Sequence, residues 1–251
     1  MARKNPHPKL TNPSVIQVAF VAVPNASLVL DDIEEYLTKK FEKTFPSKQI
    51  RKKISYVASD KGNLNIEEGP PPDDQPHFRI SNKHSNISVG PRYFSADVDQ
   101  SYNGWLDFSI LVSELVEQLY QLGTTGFEFV SLRFENELEI TNDIRDTLSD
   151  WAVPAKLPFD DASPPFSFEY ETINEFKDGV QRVRIKYPSK LISEPIIQEY
   201  VSVTIDHSFV SEESGEMMNF EDIINWIEIA HERIYDTFQV TWKPNILEAM
   251  R

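Results

Sequence analysis

Residues 15–23 (VIQVAFVAV) are a short, β-branched and almost continuously apolar run that stops at Pro24, the pattern of a strand covered on both faces. Asp31 follows as an N-cap, with Glu34 three places on. From there Ile33, Tyr36, Leu37, Phe41 and Phe45 recur at helical spacing up to Pro46, which predicts a helix. Residues 49–59 alternate Ile50, Ile54 and Tyr56 with Arg51, Lys53 and Ser55, and two more strand-like runs surround 78–80 and 87–98. Between them, GPPPDDQP at 69–76 reads as a loop. In residues 105–122, Leu106, Ile110, Leu111, Leu115, Leu119 and Leu122 give a second helix, with Gly123 placed to end it.

Residues 127–140 (FEFVSLRFENELEI) alternate Val130, Leu132, Phe134, Leu138 and Ile140 with Ser131, Arg133, Glu135, Glu137 and Glu139, the period of a half-buried strand. Asn136 interrupts the apolar side. Residues 142–151 predict a short helix, and residues 153–165, with four prolines, mark the internal boundary. Beyond it, 166–176 and 180–187 flank Asp178-Gly179, a type I′ hairpin signal. Residues 200–210 are a further strand. Residues 219–242 form a long helix with Phe220, Ile223, Ile227, Ala230, His231, Ile234 and Phe238 on one face.

The order is therefore strand, helix, three strands, helix, and then the same again. A local echo supports it: ISV at Ile87 and VSV at Val201 are each followed, 18 and 19 residues on, by an aromatic helix start, Trp105 or Phe220. The expected fold class is α+β, two pseudo-repeated β-α-β-β-β-α halves. They would form two antiparallel sheets or one continuous curved sheet, with long helices on one face. Residues 1–150 are the first half, 151–165 a Pro-rich connection and 166–251 the second half, integrated with the first as one domain.

Composition narrows the partners. The chain has 25 Lys/Arg against 40 Asp/Glu, a net charge of −15, and the imbalance is local: 14 against 15 in residues 1–125, 11 against 25 in residues 126–251. Attraction to phosphate backbones or anionic lipid is unfavourable, so neither nucleic acid nor a membrane is an expected partner. The absence of cysteine removes disulfides, thiol nucleophiles and cysteine metal sites, and fits a cytoplasmic location. Residues 1–10 lack the apolar core of a signal peptide.

No phosphate-cradling glycine spacing, GxSxG elbow or HExxH pair is present, so no cofactor or metal is expected. Of the five histidines, His207 on a strand and His231 in the last helix are candidates for a proton-transfer pair or a metal half-site near Asp206, or for core imidazoles. Glu135, Glu137 and Glu139 share one strand face about 7 Å apart, as a cation site, a surface for a basic partner or a solvated outer face. Asn136 opposes them as a buried hydrogen-bonding hub or a ligand contact. Lys39, Lys40, Lys43, Lys48, Arg51, Lys52 and Lys53 make a basic island around the single acid Glu42. That island suits a nucleic acid, an acidic protein surface or plain solvent.

Three segments carry a resemblance: Asn12-Pro13 before the strand VIQVAF, the strand SLRFENELEI, and the helix WIEIAHERIYDTF with His231, Ile234 and Phe238. In this order they resemble an uncharacterised, sporadically distributed bacterial family of about this length, with an LRYxNRI-like strand and a closing LxxxHxxIxxxF helix. Where that family has Arg after the Asn, this chain has Glu137. The resemblance implies a bacterial, cytoplasmic accessory protein with a patchy, defence-associated distribution. Together with the acidic second half, the expectation is a non-enzymatic module that binds a protein partner through an acidic surface. The alternatives are an enzyme with an unrecognised His/carboxylate site and a nucleic-acid-binding or polyanion-mimicking protein.

Overall fold

The computed structural model describes residues 15–58, 64–99, 102–140, 144–153, 168–187, 201–211 and 219–250. The apolar run at the start is β1 (Val15–Pro24), which lies at the centre of the sheet; it is not fully covered on both faces, since Val18, Phe20 and Ala22 are buried while Ala19, Val21 and Val23 on the other side are half-buried. On one side it pairs with β7 (Tyr93–Val98), beyond which lie β6 (Ser85–Gly90), β5 (Phe78–Ser81) and the short edge strand β2 (Ser47–Ile50). On the other it pairs with β8 (Phe127–Ile140), followed by β11 (Val201–Val210), β10 (Gly179–Tyr187) and the edge strand β9 (Phe168–Phe176). Every pairing is antiparallel, giving one nine-stranded sheet in the order β2-β5-β6-β7-β1-β8-β11-β10-β9. A small hairpin of β3 (Lys53–Ala58) and β4 (Leu64–Gly69) stands apart from it. The fold is α+β.

Three long helices cover one face of the sheet: α1 (Leu30–Phe41), α2 (Trp105–Gln121) and α4 (Phe220–Thr241). Their apolar stripes, represented by Ile33, Leu115 and Ile227, meet Val18, Phe20 and Leu132 of the strands in one cluster. Asn219 caps α4, its side chain accepting from the Asp222 amide at 3.0 Å, and Gly123 ends α2 at φ +101. Residues 142–151 hold α3 (Ile144–Thr147) and a 3-10 turn at Asp150–Ala152, and α5 (Pro244–Met250) follows α4. No helix among the described residues is long and apolar enough to cross a membrane.

Several sequence expectations are corrected. Residues 49–59 are not one strand: the chain breaks at Arg51-Lys52, leaving β2 on the sheet edge and β3 in the small hairpin. Residues 87–98 break at Pro91-Arg92 into the hairpin β6–β7. Both arms of a hairpin face the same core, so apolar alternation continues through the turn and hides it. Helix α1 has Val29 rather than Asp31 at its N-cap, with no side-chain cap, and stops four residues short of Phe45. The β9–β10 loop is Lys177-Asp178, because Gly179 already pairs with Phe176. Neither Lys177 nor Asp178 is among the positive-φ positions of the described residues, so the turn is not type I′. Gly179 sits at φ +149, and a Cβ there would lie 2.3 Å from the Val210 carbonyl oxygen. The Pro-rich connection from 154 onward lies outside the described residues.

The covered face is divided. The first apolar cluster spans β1 and β5 to β8; the second joins Val183, Ile185, Val203 and Ile205 to Phe238, Trp242 and Met250. Between them run three buried polar side chains on adjacent strands: Gln181 opposite Phe209, His207 opposite Phe134, and Asn136 opposite Ile205. They form a diagonal polar seam. Gln181 ties it to α4, donating from Nε2 to the Arg233 carbonyl at 3.1 Å and to Thr237 Oγ1 at 2.8 Å.

Candidate functional site

Strand alternation sends every second side chain to the sheet face opposite the helices. On β8 these are Ser131, Arg133, Glu135, Glu137 and Glu139; all are exposed or half-buried, while Leu132, Phe134 and Asn136 are buried. Across the register, Glu135 faces Asp206, Arg133 faces Ser208, and Glu137 faces Thr204. Farther out, Asp206 faces Arg184, which faces Glu171 on the edge strand. Arg133 donates from Nε to Asp206 at 2.8 Å and from Nη2 to Glu135 at 3.0 Å. Arg184 spans Glu169 at 3.6 Å and Glu171 at 3.3 Å.

This open face differs between its halves. The β8–β9 side carries Glu135, Glu137, Glu139, Asp206, Glu169, Glu171 and Glu175 against Arg133, Arg182, Arg184 and Lys186. The β5–β1 side is nearly uncharged and largely closed to solvent: Ser81, Asn86, Ser88, Ser95 and Ala19 surround Arg79 and Asp97, and Ser88 and Ser95 are buried. Burial pushes the Asp97 carboxyl up, opposed by the Asn86 amide at 2.7 Å and by Arg79.

The histidine candidates do not join this surface. His207 is wholly buried on the covered face, beside Phe238 at 6.2 Å between ring centroids, and neither ring nitrogen has a hydrogen-bond partner among the described residues. Burial lowers its pKa to about 3, which keeps it neutral. Asp206, its chain neighbour, lies on the opposite face. His231 stacks on Trp105 at 4.0 Å and 4° and sits 5.9 Å from the Phe134 ring, so it pins α4 to the start of α2. Asn136 is 1% exposed, and its Nδ2 donates to the Ile205 carbonyl at 3.5 Å, opposite a register shift in β1. Glu137 accepts from Ser202 at 2.7 Å.

The basic island is distributed rather than massed. Lys40 bridges from α1 to Glu114 of α2 at 3.5 Å, Lys48 pairs with Glu34, and Lys52 pairs with Glu68 at 2.7 Å across the start of the small hairpin. Lys53 starts β3, directly after the break.

Sequence reasoning passed over a groove of about 410 Å³ between the C-terminal end of α1, the β5–β6 turn and the start of α2. Phe41, Phe45, Val98 and Phe108 give it an apolar floor, and Lys83, His84 and Asp107 line it as polar groups. His84 Nδ1 lies 3.0 Å from Asp99 Oδ1. The turn is held by Asn82, whose Oδ1 accepts from the His84 and Ser85 amides at 2.8 and 2.7 Å and whose Nδ2 donates to the Thr44 carbonyl at 3.1 Å. In the sequence His84 and Asp99 are 15 residues apart, and only the β6–β7 hairpin brings them together. Among the described residues no group of three or more metal-ligating side chains converges.

Compared with known protein families, characterised proteins and solved structures, the chain shows no match to any.

Proposed function

We propose that the chain is a non-enzymatic, cytoplasmic interaction module that binds a basic protein segment through the open face of β8, β11, β10 and β9. The observation that carries this reading is the contrast across one sheet: helices fill one face, while the other carries seven carboxylates against four cations on four adjacent strands. Cross-strand pairs such as Arg133–Asp206 hold these side chains in fixed rows, which lowers the ordering cost of binding. The same reading takes the chain as a diverged duplication whose second unit starts at β8, before the 151–165 connection. Its support is the mirrored order β1-β7-β6-β5 and β8-β11-β10-β9 about the central β1–β8 pair, with a long helix after β7 and after β11. It also keeps the bacterial, defence-associated setting that the family resemblance implies. No observation favours the enzyme alternative through His207, which has no exposed surface.

The test is fluorescence anisotropy with a labelled Lys/Arg-rich peptide at low and physiological salt. A triple variant on the open face, Glu139→Gln, Glu171→Gln and Glu175→Gln, is compared with one on the helices, Glu35→Gln, Glu117→Gln and Glu248→Gln. Both sets change net charge equally. The open-face set is expected to weaken binding about tenfold, as loss of local complementarity does, and the helix set to leave it nearly unchanged. Equal losses would reduce the interaction to bulk charge and sink the proposal.

A further inference from the structure

We propose that the groove between α1 and α2 is a binding site for a small neutral hydroxylated aromatic, whose ring lies on the phenylalanine floor and whose hydroxyl donates to His84. This does not rest on the open-face reading, since the groove is built from other residues.

The argument starts from the imidazole. A carboxylate only accepts hydrogen bonds, so the contact between His84 Nδ1 and Asp99 Oδ1 at 3.0 Å fixes the proton of a neutral ring on Nδ1. Nε2 is then an acceptor, and it has no partner among the described residues. The ring is held at both ends of its chain segment. Asn82 spends its side chain on the turn that carries it, and the Asp99 amide donates to the His84 carbonyl at 2.8 Å. Such support from neighbouring hydrogen bonds is how a binding group is kept in one orientation.

The rest of the groove sets the ligand's body and charge. Phe41 and Phe45 meet edge to face at 5.6 Å between centroids, and Phe108 lies on the α2 side. An aromatic floor of this kind favours an aromatic occupant. The two remaining charged side chains that line the groove, Lys83 and Asp107, have opposite signs, and the Asp99 carboxylate stands behind His84, so a carboxylate ligand gains no net attraction. A volume of about 410 Å³ is within the range of small-molecule sites. Hydrogen-bond donor, aromatic body and absence of negative charge together describe a phenol-like molecule.

The probe is p-cresol, with toluene and benzoate as comparators, titrated into the full chain and followed by protein NMR. p-Cresol is expected to saturate at millimolar or lower concentration, with shifts centred on Phe41, Phe45 and His84, and to bind about five- to tenfold more tightly than toluene, the gain of one hydrogen bond. Benzoate should bind more weakly than p-cresol. In His84→Ala the p-cresol preference over toluene should vanish while toluene binding persists. Equal affinity of p-cresol and toluene for the unaltered chain would overturn the proposal without recourse to any variant. So would tighter binding of benzoate, shifts centred outside the groove, or an unchanged preference in a folded His84→Ala.

Discussion

The two faces of the nine-stranded sheet are built from the same strands and differ in almost everything else. On the covered face the side chains are apolar, and the polar seam is its marked interruption: Gln181 is bonded to α4, Asn136 to a neighbouring strand, and His207 to nothing among the described residues. On the open face polar side chains predominate, arranged in cross-strand ion pairs and hydroxyl rows. Burial of a large apolar side chain contributes about 1.5–3 kcal/mol, whereas exposed ion pairs contribute about 0–1 kcal/mol. Most of the stability therefore resides on one face, and the exposed ion pairs of β8 to β9 on the other contribute little to it.

The largest expected effect comes from breaking the covered face. Phe209 is fully buried, 6.0 Å from the Phe176 ring and 5.8 Å from Trp226 of α4. Phe209→Ala should cost about 3–5 kcal/mol, read as a fall in the urea midpoint. A loss below about 1 kcal/mol, the size of a surface effect, would show that α4 is not docked as described.

Next in size is acid sensitivity at the seam. The folded-state pKa of His207 is lowered to about 3, while the unfolded chain binds its proton near pH 6.5. Below about pH 6.5 the unfolded state gains a proton that the folded state refuses, so stability falls as pH falls towards 3. Between pH 7 and pH 5 this amounts to about 2 kcal/mol from this residue. His207→Leu should flatten that part of the urea-midpoint profile, with no loss at pH 7 because no hydrogen bond is removed. An identical slope in the variant would place the acid sensitivity elsewhere.

The smallest effect should come from the open face. Arg133 is 44% exposed and joins Asp206 and Glu135. Arg133→Ala should change stability by no more than about 1 kcal/mol, and by less at high salt. A larger change would mean that the ionic rows hold the sheet together rather than remaining available to a partner.

Much of this division was legible in the sequence. The alternation of residues 127–140 places Glu135, Glu137 and Glu139 on one face and Asn136 on the other, and the 14-residue strand has those bounds. Period-2 and period-3.6 patterns record which side a residue buries, so the three long helices and β1, β8 and β11 were readable. They do not record where a hairpin turns, which hid β6–β7, nor which strands become neighbours. The diagonal of Gln181, His207 and Asn136 exists only through the order β8-β11-β10. The pairing of His84 with Asp99 likewise depends on a turn that apolar patterning runs straight through. The dipeptide Gly90-Pro91 at that turn was the local signal that could have revealed it; Asn82 caps the preceding β5–β6 turn.

Two isoleucines offer the most direct test of the divided sheet. Ile173 is 54% exposed on the open face and Ile110 is 51% exposed on the outer side of α2, so solvent access does not distinguish them. With isoleucine methyl groups labelled, titration of the chain with a Lys/Arg-rich peptide should shift the Ile173 δ-methyl resonance saturably and leave Ile110 in place. A shift at Ile110 with Ile173 unmoved would contradict the account, and so would saturable binding that moves neither.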